Sequence, residues 1–321
     1  MPAAVSDGSE PVIHSDRDAA PATLGCGSRP TFTFDVIGTH WSIETDRPLD
    51  TDLRRELLGR VDGFDAVYSR FRPDSLISRV ATAPAGGRFT FPDNSRLLFE
   101  LYDRLADLTD GAVDPLVGRD LELLGYDRTY TLTPAPASVR ALHAGVRPSW
   151  STDVARNGAV LTTRGPLVID VGAAGKGHLV DLVASLLREA DISRFVVDAG
   201  GDLRHDGENT LRVGLEHPQD PGRVIGIAYL HQQALCASAT NRRAWGAGLH
   251  HILDGRTGRP TGETLATWVV ADDTAVADAL ATALFFTEPH QLATAYRFTY
   301  VRMGSDGRVD ASPDFAGELF A

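Results

Sequence analysis

A globular domain that mixes helices with strand hairpins, an α+β make-up, is what the sequence predicts, on three observations. Hydrophobic residues form 43% and charged residues 23% of the 321 residues, enough for a sizeable core in one large domain or two intimate lobes. Apolar residues return every three or four positions in several stretches, as in helices with one buried face. Short alternating or apolar runs, punctuated by Gly, Pro and Asp, read as strands, and several are spaced as hairpins.

In chain order, residues 1–30 are rich in Ala, Pro, Ser, Asp and Gly and read as a disordered tail, leaving 31–321 as the folded domain. No segment there is long and apolar enough to span a bilayer, so the expected location is cytoplasmic. Residues 31–45 alternate apolar and polar around Gly38-Thr39, as one kinked strand would. Leu53, Leu57, Val61, Phe64 and Tyr68 then mark an amphipathic helix, followed by the polar loop 69–75, where Asp74 or Ser75 caps a short turn. A second helix spans about 94–109, with Leu97, Leu98, Leu101, Leu105 and Leu108 on one side, and stops at Asp110-Gly111. Further on come a short helix at 136–144, a hairpin at 158–171 and a strand at 194–197 that runs into Asp198-Ala199-Gly200-Gly201-Asp202. In that segment Asp202 reads as part of a structural turn. A hairpin at 210–230, a strand at 265–271, a helix over 276–286 and two strands in 296–310 complete the chain.

The stretch Leu167 to His178 organises the rest. An apolar run, Leu167 to Ile169, reads as a buried strand ending in Asp170, and a Gly/Ala-rich turn leads into a helix carrying Lys176 in its first turn. Unpaired helix N–H groups, the dipole and the lysine make a plausible phosphate seat. A tight strand-to-helix connection is the plainer reading, for the stretch is neither a Walker A loop nor a G-x-G-x-x-G.

The net charge of -12 argues against nucleic acid or an anionic membrane as the main partner, and an anionic ligand would need local positive charge. Two separated cysteines, Cys26 and Cys236, offer neither a disulfide framework nor a zinc spacing. His250 and His251 are adjacent, so at most one of them faces a given site. Asp278 and Thr282 share a face of an otherwise apolar helix. Capping and back-bonding are the plainer explanation of the pair, and a hard cation with oxygen ligands is the functional alternative.

The order of these segments carries more than any one of them. Gly38-Thr39, Ser69 to Ser75, Gly111 to Pro115, Asp170 to Gly177, Asp198 to Asp202, His251 to Gly258 and Ala277 to Leu284 together resemble the ApbE family of FAD:protein FMN transferases, across about 32–290. The resemblance implies an α+β fold with mixed or antiparallel sheets and packed helices, FAD as substrate and an essential Mg²⁺. It further implies transfer of FMN through a phosphoester to a threonine (or serine) hydroxyl of a partner protein, with release of AMP. By resemblance, Asp278, Thr282 and the Ala173 carbonyl match metal ligands, and Ala281 stands where some relatives supply a further oxygen. Ile37, Phe71, Ala112, Val113, Asp114, Asp170, Lys176, His251 and Ile252 match nucleotide-contacting positions. Lys176, His251 and Asp254 are the catalytic candidates, the last two for activating the acceptor hydroxyl.

Several residues depart from the family pattern. Ile37 replaces Met, Leu116 replaces Thr, Ala237-Ser238-Ala239 replaces Thr-Ser-Gly, and Gly255 replaces Pro. The family's usual export signal is also missing, which implies a cytoplasmic partner or the cytoplasmic face of a membrane protein. The competing expectations are an FAD hydrolase giving FMN and AMP, a non-catalytic flavin binder, and an α+β domain whose motifs are only turns.

Overall fold

The computed structural model describes residues 29–320, so nearly all of the expected tail, and Cys26, lie outside the described residues. Eight strands form one sheet: Thr31–Val36, Thr39–Thr45, Phe195–Asp198, Asp202–Asp206, Ala234–Ala239, Thr264–Ala271, Thr299–Gly304 and Val309–Ala311. They are hydrogen-bonded in that same order, and each pairing is antiparallel. The sheet is thus a meander whose connections are filled by the helices and smaller sheets.

Side chains on a strand alternate between faces, and this sheet buries both. Phe195, Val197, Val269 and Ala271 enter a large core with the helices Thr51–Tyr68, Ser95–Leu108, Gly175–Glu189 and Thr274–Ala283. Val196, Ala266, Trp268 and Val270 enter a second core on the opposite face. That face is covered by a three-stranded sheet of Leu211–His217, Asp220–Leu230 and Gly317–Leu319.

Periodicity located the first helix well: Leu53, Leu57, Val61, Phe64 and Tyr68 are its buried residues. Ser75, rather than Asp74, caps the next helix, accepting from Ser78 N at 3.1 Å. Several expectations need correction. Residues 31–45 form a two-strand hairpin and not one kinked strand, with Ile37 (φ 47°) and Gly38 (φ 74°) at its tip. Leu97 is 67% exposed, because the buried stripe of its helix runs through Leu98, Leu101 and Leu105. The hairpin expected at 158–171 lies earlier, between Val154–Asn157 and Val160–Thr163. Leu167 and Ile169 are buried and Val168 half-buried, but the stretch joins no sheet; the adjacent Asp170 N–H donates to Pro115 O at 2.7 Å. Its neighbour there is the single helical turn Pro115–Val117, which cannot offer a ladder. Among the described residues, no helix is long and apolar enough to cross a membrane.

Candidate active site

A groove of about 690 Å³ opens where the hairpin tip, the 69–72 loop, the central turn and the 237–253 segment meet the start of the Thr274–Ala283 helix. One end is charged and the other aromatic.

The charged end is built by two helices in close approach. A Cβ at Gly177 would lie 2.4 Å from Thr274 O and 2.7 Å from Asp278 Cβ, so glycine is required for that contact. The approach lets Gly177 N donate to Asp278 Oδ2 at 2.9 Å. Asp278 is 4% exposed; burial first, and then the charge of Asp202, push its carboxyl well above the ordinary range, with Lys176 opposing. Asp202 is fully buried, neither carboxylate oxygen has a hydrogen-bond partner, and burial likewise raises it. Lys176 Nζ donates to Gly200 O at 3.0 Å and lies 3.5 Å from Asp202 Oδ2. Thr282 Oγ1 and Ser238 Oγ are 3.5 Å apart on the groove wall.

Of the two readings of the central turn, its amides favour the tight connection over an open phosphate seat. The amides of Ala174 and Gly175 donate to Val171 O, that of His178 to Ala174 O, and that of Gly177 to Asp278. The helix dipole therefore meets a carboxylate of the protein, leaving Lys176 as the positive group of this segment.

Asp170, just before the turn, is fully engaged. Its Oδ1 accepts from Gly172 N at 2.7 Å and its Oδ2 from Arg70 Nε at 2.5 Å. Burial alone would raise the carboxyl; Arg70 and the Gly172 amide outweigh it and hold Asp170 below the usual carboxylate range. At the aromatic end, Phe71 stacks on Tyr130 at 5.1 Å and meets Tyr126 edge-on at 5.5 Å, while Tyr126 stacks on Trp245 at 5.5 Å.

His251 lines the groove. Its Nδ1 is buried without a partner, and burial, with Arg243 nearby, pushes the imidazole down to about 3, so it is neutral at pH 7. His250 turns away, its Nε2 2.8 Å from Thr261 O, as adjacency on an extended segment requires.

Ile37, Phe71, Val113, Asp114, Asp170, Ala173, Lys176, His251, Ile252, Asp278 and Thr282 all border the groove. Three expected residues do not. Asp254 turns aside to pair with Arg256 at 2.7 Å and to cap its own turn through Arg256 N at 2.9 Å. Ala112 is fully buried behind the wall, where its carbonyl accepts from Gly255 N at 2.8 Å. A proline at Gly255, the usual family residue, has no N–H for that bond. Ala281 is fully buried, and its carbonyl accepts from Thr267 Oγ1 at 2.6 Å. Asp114 borders the groove but spends both oxygens on the Leu116 and Trp150 amides, at 2.7 and 2.8 Å.

Sequence reasoning missed Asp202, taken for a turn, and also Arg70, Tyr126, Tyr130, Arg243 and Trp245, all but Asp202 bordering the groove. The only signal for Asp202 was a carboxylate directly after two glycines; long-range packing decides the others.

Among the described residues no group of three or more His, Cys, Asp and Glu side chains could hold a metal. The oxygens present still suit a hard cation that completes its shell with substrate and water. Asp278, Thr282 and the Ala173 carbonyl supply neutral and anionic oxygens, and Asp202 adds a buried charge whose atoms lack hydrogen bonds.

The model of the ApbE family matches residues 37–300. A relative from Rhodobacter capsulatus, called FAD:protein FMN transferase, is 28% identical over 90% of this chain, which spans 58% of that protein's length. Relatives of the same name from Salmonella typhimurium and Escherichia coli are 25% and 23% identical, over 80% and 96% of this chain and 81% and 94% of theirs. Two solved structures share the fold: the flavin transferase ApbE from Vibrio cholerae and the ApbE protein of Thermotoga maritima, with TM-scores of 0.76 and 0.78. Each is 22% identical; they cover 90% and 89% of this chain, and it covers 98% and 97% of theirs.

Proposed function

This chain belongs to the ApbE family, and we propose that it is a Mg²⁺-dependent FAD:protein FMN transferase with a threonine or serine acceptor. The observation that carries the reading is a groove bordered by Asp278, Thr282, Lys176 and Ala173 on one side and by aromatic rings on the other, with Asp202 buried behind Lys176 at 3.5 Å.

In the reaction, an acceptor hydroxyl oxygen bonds to the phosphorus of the FMN half of FAD. The bond from that phosphorus to the bridging oxygen breaks, and AMP leaves with the bridging oxygen. Displacement at phosphorus depends mostly on positioning and charge neutralisation. Asp278, Thr282 and the Ala173 carbonyl would hold Mg²⁺, which when bound neutralises charge on the diphosphate. Lys176 is placed to pair with a diphosphate oxygen once it exchanges its contact with Asp202. His251 borders the groove and can take the hydroxyl proton once the negative charge of the bound diphosphate offsets the burial that now keeps it neutral. The aromatic end holds a planar ring of the substrate. The net charge of -12 argues against nucleic acid as the main partner, which supports a protein acceptor.

The test follows AMP and peptide mass together when the protein is incubated with FAD and Mg²⁺, with and without a threonine-bearing acceptor peptide and with an EDTA control. AMP plus a peptide heavier by FMN supports the transferase. AMP with free FMN in the presence of acceptor would replace it by an FAD hydrolase. Absence of AMP throughout would leave a flavin-binding protein.

A further inference from the structure

The aromatic end of the groove contains a cation to which the reaction above gives no task. Arg70 is 4% exposed, and two of its three nitrogens are committed: Nε to Asp170 Oδ2 at 2.5 Å and Nη1 to Tyr126 O at 2.8 Å. The guanidinium carbon lies 4.3 Å from the Phe71 ring centroid and 5.0 Å from that of Tyr126. The third nitrogen, Nη2, is buried with no hydrogen-bond partner. A buried charged donor without an acceptor is costly, and Arg70 borders the groove.

We propose that Arg70 reads the isoalloxazine ring of the flavin nucleotide, with Nη2 donating to the acceptor edge of its pyrimidine-dione. The proposal deepens the function above and rests on the groove being an FAD site. Three arguments carry it. Guanidinium only donates, and the N1/C2=O edge of the dione presents a ring nitrogen and a carbonyl oxygen, both acceptors, with the ring's N3–H donor lying beyond C2, whereas adenine places an amino donor beside its ring nitrogens. With Nε and Nη1 held by Asp170 and Tyr126, the direction of Nη2 is set before the ligand arrives, so little side-chain entropy is lost on binding. Finally, FMN is the half that must stay oriented for transfer while AMP departs, and a buried, doubly tethered donor beside flat ring walls suits the retained half.

The test titrates the full-length protein and its Arg70→Lys and Arg70→Met variants with FMN, FAD and ADP, following flavin fluorescence and heat. Lysine keeps a positive charge beside Asp170 and so separates ring reading from loss of the ion pair. Both variants should weaken FMN and FAD about tenfold or more, with ADP within about twofold. Should Arg70→Met fail to fold, the ligand side decides. Wild type should bind 2-thio-FMN, a poorer acceptor at C2, more weakly than FMN, and Arg70→Lys should lose most of that preference. Unchanged FMN affinity, or an equal loss for ADP in Arg70→Lys, overturns the proposal and leaves Arg70 as a tie between loops. A wild-type protein that binds neither FMN nor ADP would instead remove the FAD-site reading itself.

Discussion

Asp170 and Asp202 each stand beside a glycine-containing turn at the groove, and the structure treats them oppositely. Asp170 meets Arg70 and the Gly172 amide, so its charge is compensated within the protein. Asp202 is fully buried with neither oxygen hydrogen-bonded, and its nearest cation, Lys176, sits at 3.5 Å while bonded to Gly200 O. Low dielectric strengthens a satisfied pair and penalises an unsatisfied charge. The first carboxylate is therefore a piece of architecture. The second, with Asp278, is a charge deficit suited to an incoming cation.

That contrast can be broken by substitution, beginning with the largest effect. Asp170→Asn should cost about 3–5 kcal/mol in stability by stranding the buried Arg70, while Asp202→Asn should stay within about 1 kcal/mol. Denaturant melts of both variants check this, and equal losses would erase the distinction. Asp278→Ala should lower AMP release from FAD by roughly a hundredfold or more with the far-ultraviolet dichroism retained. Normal turnover in that variant would falsify the metal assignment.

Proton linkage offers a control away from the groove. Burial pushes His178 down to about 4, and its Nε2 has no partner. Because the folded state resists protonation, its contribution is complete above the unfolded value near 6.5. It is lost as pH falls from there toward 4, by up to about 3 kcal/mol. Between pH 7 and 4 the wild type should lose that much stability relative to His178→Leu in melting curves; a difference that stays constant with pH would count against it.

Two smaller effects follow. Lys176→Met should weaken FAD about tenfold, through loss of a charge-assisted contact at the diphosphate, and unchanged affinity would make the central turn structural only. Ile37 holds φ 47° at the hairpin tip, where Asn-Gly is the favoured pair. Ile37→Asn should raise stability by about 1 kcal/mol while weakening FAD, seen as opposite shifts in melting temperature and affinity.

Much of the fold was legible in the sequence because it rests on local rules. The stripe from Leu53 to Tyr68 needs only helical periodicity, and Ser75 needs only a capping oxygen ahead of a helix. Asp278 and Thr282 were found together because four-residue spacing puts two oxygens on one helical face, and seven ordered segments placed the chain in its family. Tertiary structure decided which polar groups are spent and which are left over. Asp254 reads as catalytic and Asp114 as nucleotide-contacting in the sequence, yet Arg256 pairs with the first and two backbone amides occupy the second. Arg70 looks like one loop arginine among several until Asp170, a hundred positions later, and the Tyr126 carbonyl fix two of its nitrogens and orphan the third. Asp202 looks like a turn until its neighbours bury it without a hydrogen bond, with Lys176 3.5 Å away. Periodicity and capping act within a few residues, whereas the free energy of a buried charge is set by whatever the whole fold brings against it.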